Sequence, residues 1–161
     1  MRLMIIIGLA VLVAIVIYIL VHHEITKHAT LIVRSAAQKS TDAAMQACLP
    51  VLAKQQLVQN NELNFSQSQT VADVWGRGVM AFEYALVVQH VSPDELQRLA
   101  HVLDDELQRY GEAKQIERVQ SASKAFVVTD IWLFENKLHF DIAYLMNDAT
   151  YEYVKDLKKI G

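Results

Sequence analysis

Three groups of residues in this chain have the types that do chemistry. His22, His23, Glu24 and His28 cluster at the end of an apolar run, and Glu24 and His28, four apart, share a face if the segment is helical. One imidazole and one carboxylate can touch a divalent cation, but a closed zinc site takes four ligands, and the second histidine of a zinc-protease helix is missing. These side chains read instead as amphipathic residues at a headgroup boundary, open to pH because imidazole titrates near neutrality. Asp130, His139 and Asp141 form the second group, inside a predicted hairpin. With Glu135-Asn136 as a two-residue turn, Asp130 opposes Asp141 and Trp132 opposes His139, and two facing carboxylates would begin a cation or acid–base site. With the three-residue turn Glu135–Lys137, Phe140 opposes Trp132 and the aspartates part onto different faces. Aromatic pairing favours the second register. Cys48 is the third candidate, but no histidine lies near it in sequence to make a thiolate, so its expected role is apolar packing.

Two further runs read as structure. Gly76-Arg77-Gly78 lacks the preceding strand and following Lys-Ser/Thr of a phosphate loop and reads as a turn with a solvent-facing arginine. Asp104-Asp105-Glu106 sits late in a predicted helix, with Arg98 and Arg109 at pairing distance, and reads as a solvated face. No catalytic, cofactor-binding or metal-binding residue is assigned, and the chain is expected not to be an enzyme.

The elements that must position these groups begin with the apolar run. Leu3–Val21 is 19 residues without a charge, in a chain of 161 with net charge −3. At about 1.5 Å per residue it matches a hydrocarbon core roughly 30 Å thick. A cleavable signal has a shorter apolar stretch and a small-x-small exit, whereas this one leaves through Tyr18-Ile-Leu-Val-His-His-Glu24, so a retained anchor is expected. The short head bearing Arg2 points to an N-terminus inside and a domain outside the cytoplasm. The chain beyond residue 21 has 14 bases against 18 acids, an unfavourable balance for collecting nucleic-acid phosphates. A single cysteine excludes an internal disulfide.

Past the anchor, Ile25, Ala29, Ile32, Ala36, Ala43 and Ala47 recur at near-heptad spacing along one helix face. The seam closes against the protein's own domain, as helix packing generally favours, or against another chain. Ala29, Ala36, Ala43 and Ala47 are the candidate interface residues. Pro50 predicts a kink or end near Leu49, with helix resuming to about Gln59. Asn60–Gln69 has loop composition, and Thr70-x-x-Asp73 is a candidate capping box. Val79–Val91 fits a helical period. Ser92 as N-cap, Pro93 at the first position, acids Asp94 and Glu95, and a stripe of Leu96, Leu99, Ala100, Leu103 and Leu107 predict a helix stopped by Gly111. Glu112–Lys124 reads as a further, polar helix, then 125–134 and 137–146 as a β-hairpin. The tail, Thr150–Ile160, is a third strand or a closing helix, its alternating start leaning towards strand.

The fold class expected is therefore α+β: an N-terminal transmembrane helix continuing into a long amphipathic helix, then a small helical domain with a C-terminal antiparallel hairpin or three-stranded sheet. The divisions are 1–21 anchor, 22–59 membrane-proximal helix and 60–161 domain. This plan resembles that of pilin-like proteins, although their processing glycine and early glutamate are absent, since Glu24, the first acid, comes after the apolar run. The expected function is a non-enzymatic, single-pass envelope protein, a structural or interaction subunit of a filament or secretion machine. Its expected partners are membrane lipid and, through the alanine seam, itself or other envelope proteins. The alternative is a membrane-tethered enzyme or sensor with a small-molecule pocket.

Overall fold

The structure, a computed structural model, describes residues 2–59, 63–65, 68–71, 78–88 and 91–160. Its contacts divide the chain into two units, residues 1–35 and 36–161. The first unit is helix throughout its described residues, part of α1 (Arg2–Lys54), and from Ile6 to Val21 each large apolar side chain is 48–68% exposed. It is long and apolar enough to cross a membrane.

The second unit is an α+β domain. Residues 36–54 of α1 lead to β1 (Gln69–Thr70), β2 (Ala81–Val87), a 3₁₀ turn (Pro93–Glu95), α2 (Leu96–Ala113), β3 (Phe126–Phe134), β4 (Lys137–Tyr144) and α3 (Asp148–Ile160). The four strands form one antiparallel sheet in the order β1-β2-β4-β3. The main core fills the space between one sheet face and two helices. Phe82, Tyr84 and Leu86 of β2 and Leu138, Phe140 and Ile142 of β4 meet Met45, Cys48, Leu49 and Leu52 of α1 and Leu99, Leu103 and Leu107 of α2. A smaller cluster on the opposite face joins Ala81, Val127 and Ala143 to Val154 of α3.

The Ser92 helix start is present in detail. The Glu95 carboxylate accepts from Ser92 N and Oγ, both at 2.9 Å, and those two bonds hold its pKa below the usual range. The chain passes through a 3₁₀ turn before the α-helix proper, and Leu99, Leu103 and Leu107 are buried as the stripe requires.

Six expectations are corrected. Residues 89 and 90 of the segment predicted as a helix over 79–91 lie outside the described residues, and Ala81–Val87 within it is strand β2. Its large residues Phe82, Tyr84 and Leu86 alternate onto the main core, while Ala81, Glu83 and Ala85 face the other way. Small apolar residues on the second face fill in the pattern and hide the period of two. Gly111 does not end α2. It lies buried within the last turns, where the absent side chain leaves room for Ala125, whose Cβ is 3.4 Å from where a glycine Cβ would stand. The stop comes at Gln115, in the left-handed region with φ 52°, where Gln115 N donates to Glu112 O and Ile116 N to Gly111 O. This paired closure turns Glu112–Lys124 out of the expected helix after Ala113 and packs the half-buried Ile116 against the core. Of the two outcomes expected at Pro50, the end is excluded, since α1 runs on to Lys54. Both Pro50 and Gln46, the residue whose carbonyl loses its partner, are on the exposed side, where water can take up the freed group. α1 closes as α2 does, with Gln56 at φ 59° and Leu57 N donating to Leu52 O.

The tail is helix α3, not a strand. Asn147 is its N-cap, accepting from Thr150 N at 2.8 Å, with Asp148 in the first turn and Lys158 and Lys159 in the last. The hairpin takes the two-residue turn: Glu135 and Asn136 both have positive φ, 49° and 58°. That is the turn whose twist matches the flanking strands, and the match outweighs the aromatic pair of the rejected register. In the loop before β2, Thr70 lies in β1. Asp73, Gly76 and Arg77 lie outside the described residues, as does part of Asn60–Gln69.

Candidate functional site

The two-residue turn brings chemistry together on the second face of the sheet. Across three neighbouring strands Glu83 pairs with Asp141 and Asp141 with Asp130. The next row on that face is Ala85, His139 and Trp132. A bulge between Val128 and Asp130 lies just beyond this row, adding one residue to β3 so that Val128, rather than Thr129, opposes Ile142. Thr129 Oγ1 donates to Asp141 O at 3.2 Å across the bulge.

His139 Nδ1 lies 2.7 Å from Glu83 Oε1, and the imidazole is held by aromatic contacts on one flank. Trp132 stacks on it with ring centroids 5.1 Å apart, and Phe134 meets it edge-on at 6.4 Å. The aromatic pairing that favours the other register is therefore recovered through His139. Asp141 is pressed from several sides: burial, then the carboxylates of Glu83 and Asp130, push its pKa up to about 7, with His139 opposing. On α3, burial and then the charges of Asp141 and Asp130 hold the Tyr153 phenol above its usual pKa, against a bond to Thr129. Asp141 Oδ1 and His139 Nε2 are buried atoms without a hydrogen-bond partner among the described residues. Asp141 can therefore hold a proton near neutral pH. Among the described residues no three His, Cys, Asp or Glu side chains are grouped to hold a metal ion.

The sequence points to Asp130, His139 and Asp141 but not to Glu83, which is 56 residues from its histidine partner. The only local signal for Glu83 is an acid within an apolar run.

The remaining candidates fall elsewhere. Ala29 is exposed in the first unit, and Ala36, Ala43 and Ala47 are exposed in the second, so none of the four faces the domain core. The stripe of α1 that enters that core is Ala37, Thr41, Ala44, Met45, Cys48, Leu49 and Leu52, one residue round from the predicted seam. Ala29 shares a shallow apolar groove with Leu20, Val21, Ile25 and Ile32. Near it Glu24 is paired with Lys27 at 3.4 Å, and His22 stacks on Tyr18 with centroids 5.8 Å apart. Cys48 is buried, and desolvation pushes its thiol up to about 12, which leaves no thiolate at neutral pH.

Asp104 is not a member of a solvated face: it pairs with Lys124 and accepts from Val128 N at 3.0 Å, tying α2 to the outer strand of the sheet. Glu106 does pair with Arg109, at 2.7 Å. A second polar tie joins α1 to the sheet, with Ser68 Oγ and Tyr84 OH each donating to Asp42 Oδ1 at 2.7 Å.

No protein-family model matches the chain, and no curated protein or solved structure matches it.

Proposed function

We propose that this chain is a non-enzymatic, single-pass membrane protein. In this reading residues 3–21 anchor it, the domain lies outside the cytoplasm, and it serves as an interaction or structural subunit of a larger envelope assembly. The observation that carries the reading is the exposed apolar surface from Ile6 to Val21. An unbroken patch of that size is untenable in water and suits a bilayer core. Exposed Ala36, Ala43 and Ala47 support the assembly role, because small side chains on an uncovered helix face let a second backbone come close.

Replacing Ala36 and Ala43 by leucine tests the assembly role. Both positions are exposed, and leucine is nearly as good a helix former as alanine, so thermal unfolding of the full chain in mild detergent should not change. Association, read by cross-linking or sizing, should weaken by about 1–3 kcal/mol if two backbones meet there. Unchanged association in both variants would remove the seam from the proposal.

A second reading, a membrane-tethered sensor, rests on the unpartnered Asp141 and His139 atoms and on the raised pKa of Asp141. It requires Asp141→Asn to abolish a signalling response while leaving association intact.

A further inference from the structure

A cavity of about 260 Å³ opens between α3 and the segment 121–124, at the end of the sheet away from the hairpin turn. Its floor is apolar: Ala122, Val127, Leu145 and Val154. Its rim is not. Tyr151, Lys155 and Lys158 reach it from α3, and with Val154 they stand at the i, i+3, i+4 and i+7 positions of one helix face. Ser121, Ser123 and Lys124 come from the opposite wall. The lining holds three lysines and no carboxylate, in a chain where acids outnumber bases 18 to 15.

The three ammonium groups differ. Lys124 is committed to Asp104, with both side chains about three-quarters buried. Among the described residues Lys155 pairs only with Glu152, one turn back and 55% exposed, a contact that an incoming anion can displace. Lys158 has no carboxylate partner among the described residues. The opposite wall is fixed in advance of any ligand. Val119 N donates to Leu145 O at 2.9 Å, Leu145 N to Ala125 O at 2.7 Å, and Arg118 Nε to Ala122 O at 3.0 Å.

We infer that this cavity binds a phosphate monoester carrying a short apolar group, with Lys155 and Lys158 on the phosphate, Ser121 and Ser123 donating hydroxyls to it, and the apolar floor taking the hydrocarbon. Two displaceable or free ammonium charges match the charge of about −1.5 to −2 that such a group carries at neutral pH. Lysine ammonium groups bind phosphate as point charges, and hydroxyls on the facing wall can reach the further oxygens that a phosphate has and a carboxylate lacks. The volume is below the roughly 300–1,000 Å³ of drug-sized pockets, which limits the occupant to a headgroup and a few carbons. The pocket and its ligand do not depend on the membrane-subunit reading.

Titration of the full chain in non-ionic detergent, monitored by NMR shifts of Ala122, Val154 and Leu145, tests it. Butyl phosphate should saturate these signals, more tightly than inorganic phosphate. Binding should strengthen from about pH 5 to about pH 7 as the second phosphate proton leaves near pH 6. Lys155→Gln and Lys158→Gln should each weaken it about threefold and together about tenfold. Lys137→Gln, at the hairpin end of β4, should leave it unchanged. Dihexanoyl phosphatidate separates the sources: binding tighter than butyl phosphate supports a lipid headgroup, and exclusion from the pocket supports a soluble phosphate ester. Non-saturable shifts, equal binding of pentanoate, or equal weakening by Lys137→Gln would overturn the inference.

Discussion

Asp141 is the residue whose surroundings most change its ordinary chemistry. Its pKa rises from 3.8 to about 7 because it is taken from water and set between Glu83 and Asp130. The folded chain therefore holds that proton more tightly than the unfolded chain does, and this group's contribution to stability is lost as pH rises from about 4 through about 7. Asp141→Asn removes the charge and keeps the shape. Denaturant melts should show the variant about 1–2 kcal/mol more stable than the natural chain at pH 8, a figure discounted for partial solvent access, with the gap closing towards pH 5. A variant equally or less stable at pH 8 would mean that the carboxylates do not strain one another. The neighbours of Asp141 explain why the cluster is only half legible in the sequence. Asp130, His139 and Asp141 lie within one hairpin, so their proximity comes from a turn, whereas Glu83 joins them through the pairing of β2 with β4. No sequence spacing encodes that pairing.

Among the elements, those specified by short-range chemistry are legible in the sequence. Ser92, Pro93 and Glu95 set the start of α2 through bonds between residues at most three apart. β2 reads as a helix because its second face carries Ala81 and Ala85, small apolar residues that suit a helix as well as a covered strand. The tail is open between strand and closing helix in the sequence, and leans to strand because Tyr151 and Tyr153 suggest alternation, although the Asn147 cap and terminal lysines are already helix signals. Both helix stops are invisible because glutamine, not glycine, occupies the left-handed position at Gln56 and Gln115. The hairpin turn offers a direct test of register. Glu135 at φ 49° and Asn136 at φ 58° are positions that Asn-Gly fills with less strain. Glu135→Asn combined with Asn136→Gly should raise stability by about 1 kcal/mol in chemical denaturation. A loss of stability would point instead to the three-residue turn and separate the aspartates.

At the scale of the whole molecule, an apolar helix with no cover over its side chains and a domain with a closed core are two solutions to two solvents. The domain's core needs water outside it; in the proposed reading the run from Ile6 to Val21, long and apolar enough to cross a membrane, sits in a bilayer instead. The proposed orientation rests on the short head with Arg2, and a reporter fused after Gly161 should be active only if it works outside the cytoplasm. Activity of a cytoplasm-only reporter would reverse the placement. The central claim is that residues 3–21 stay attached and hold the domain to a bilayer. Membranes stripped at alkaline pH and mapped by mass spectrometry test it most directly. The domain is expected to remain in the stripped membrane together with a peptide spanning Leu3–Val21. A domain released by alkali, or retained without that peptide, would contradict it.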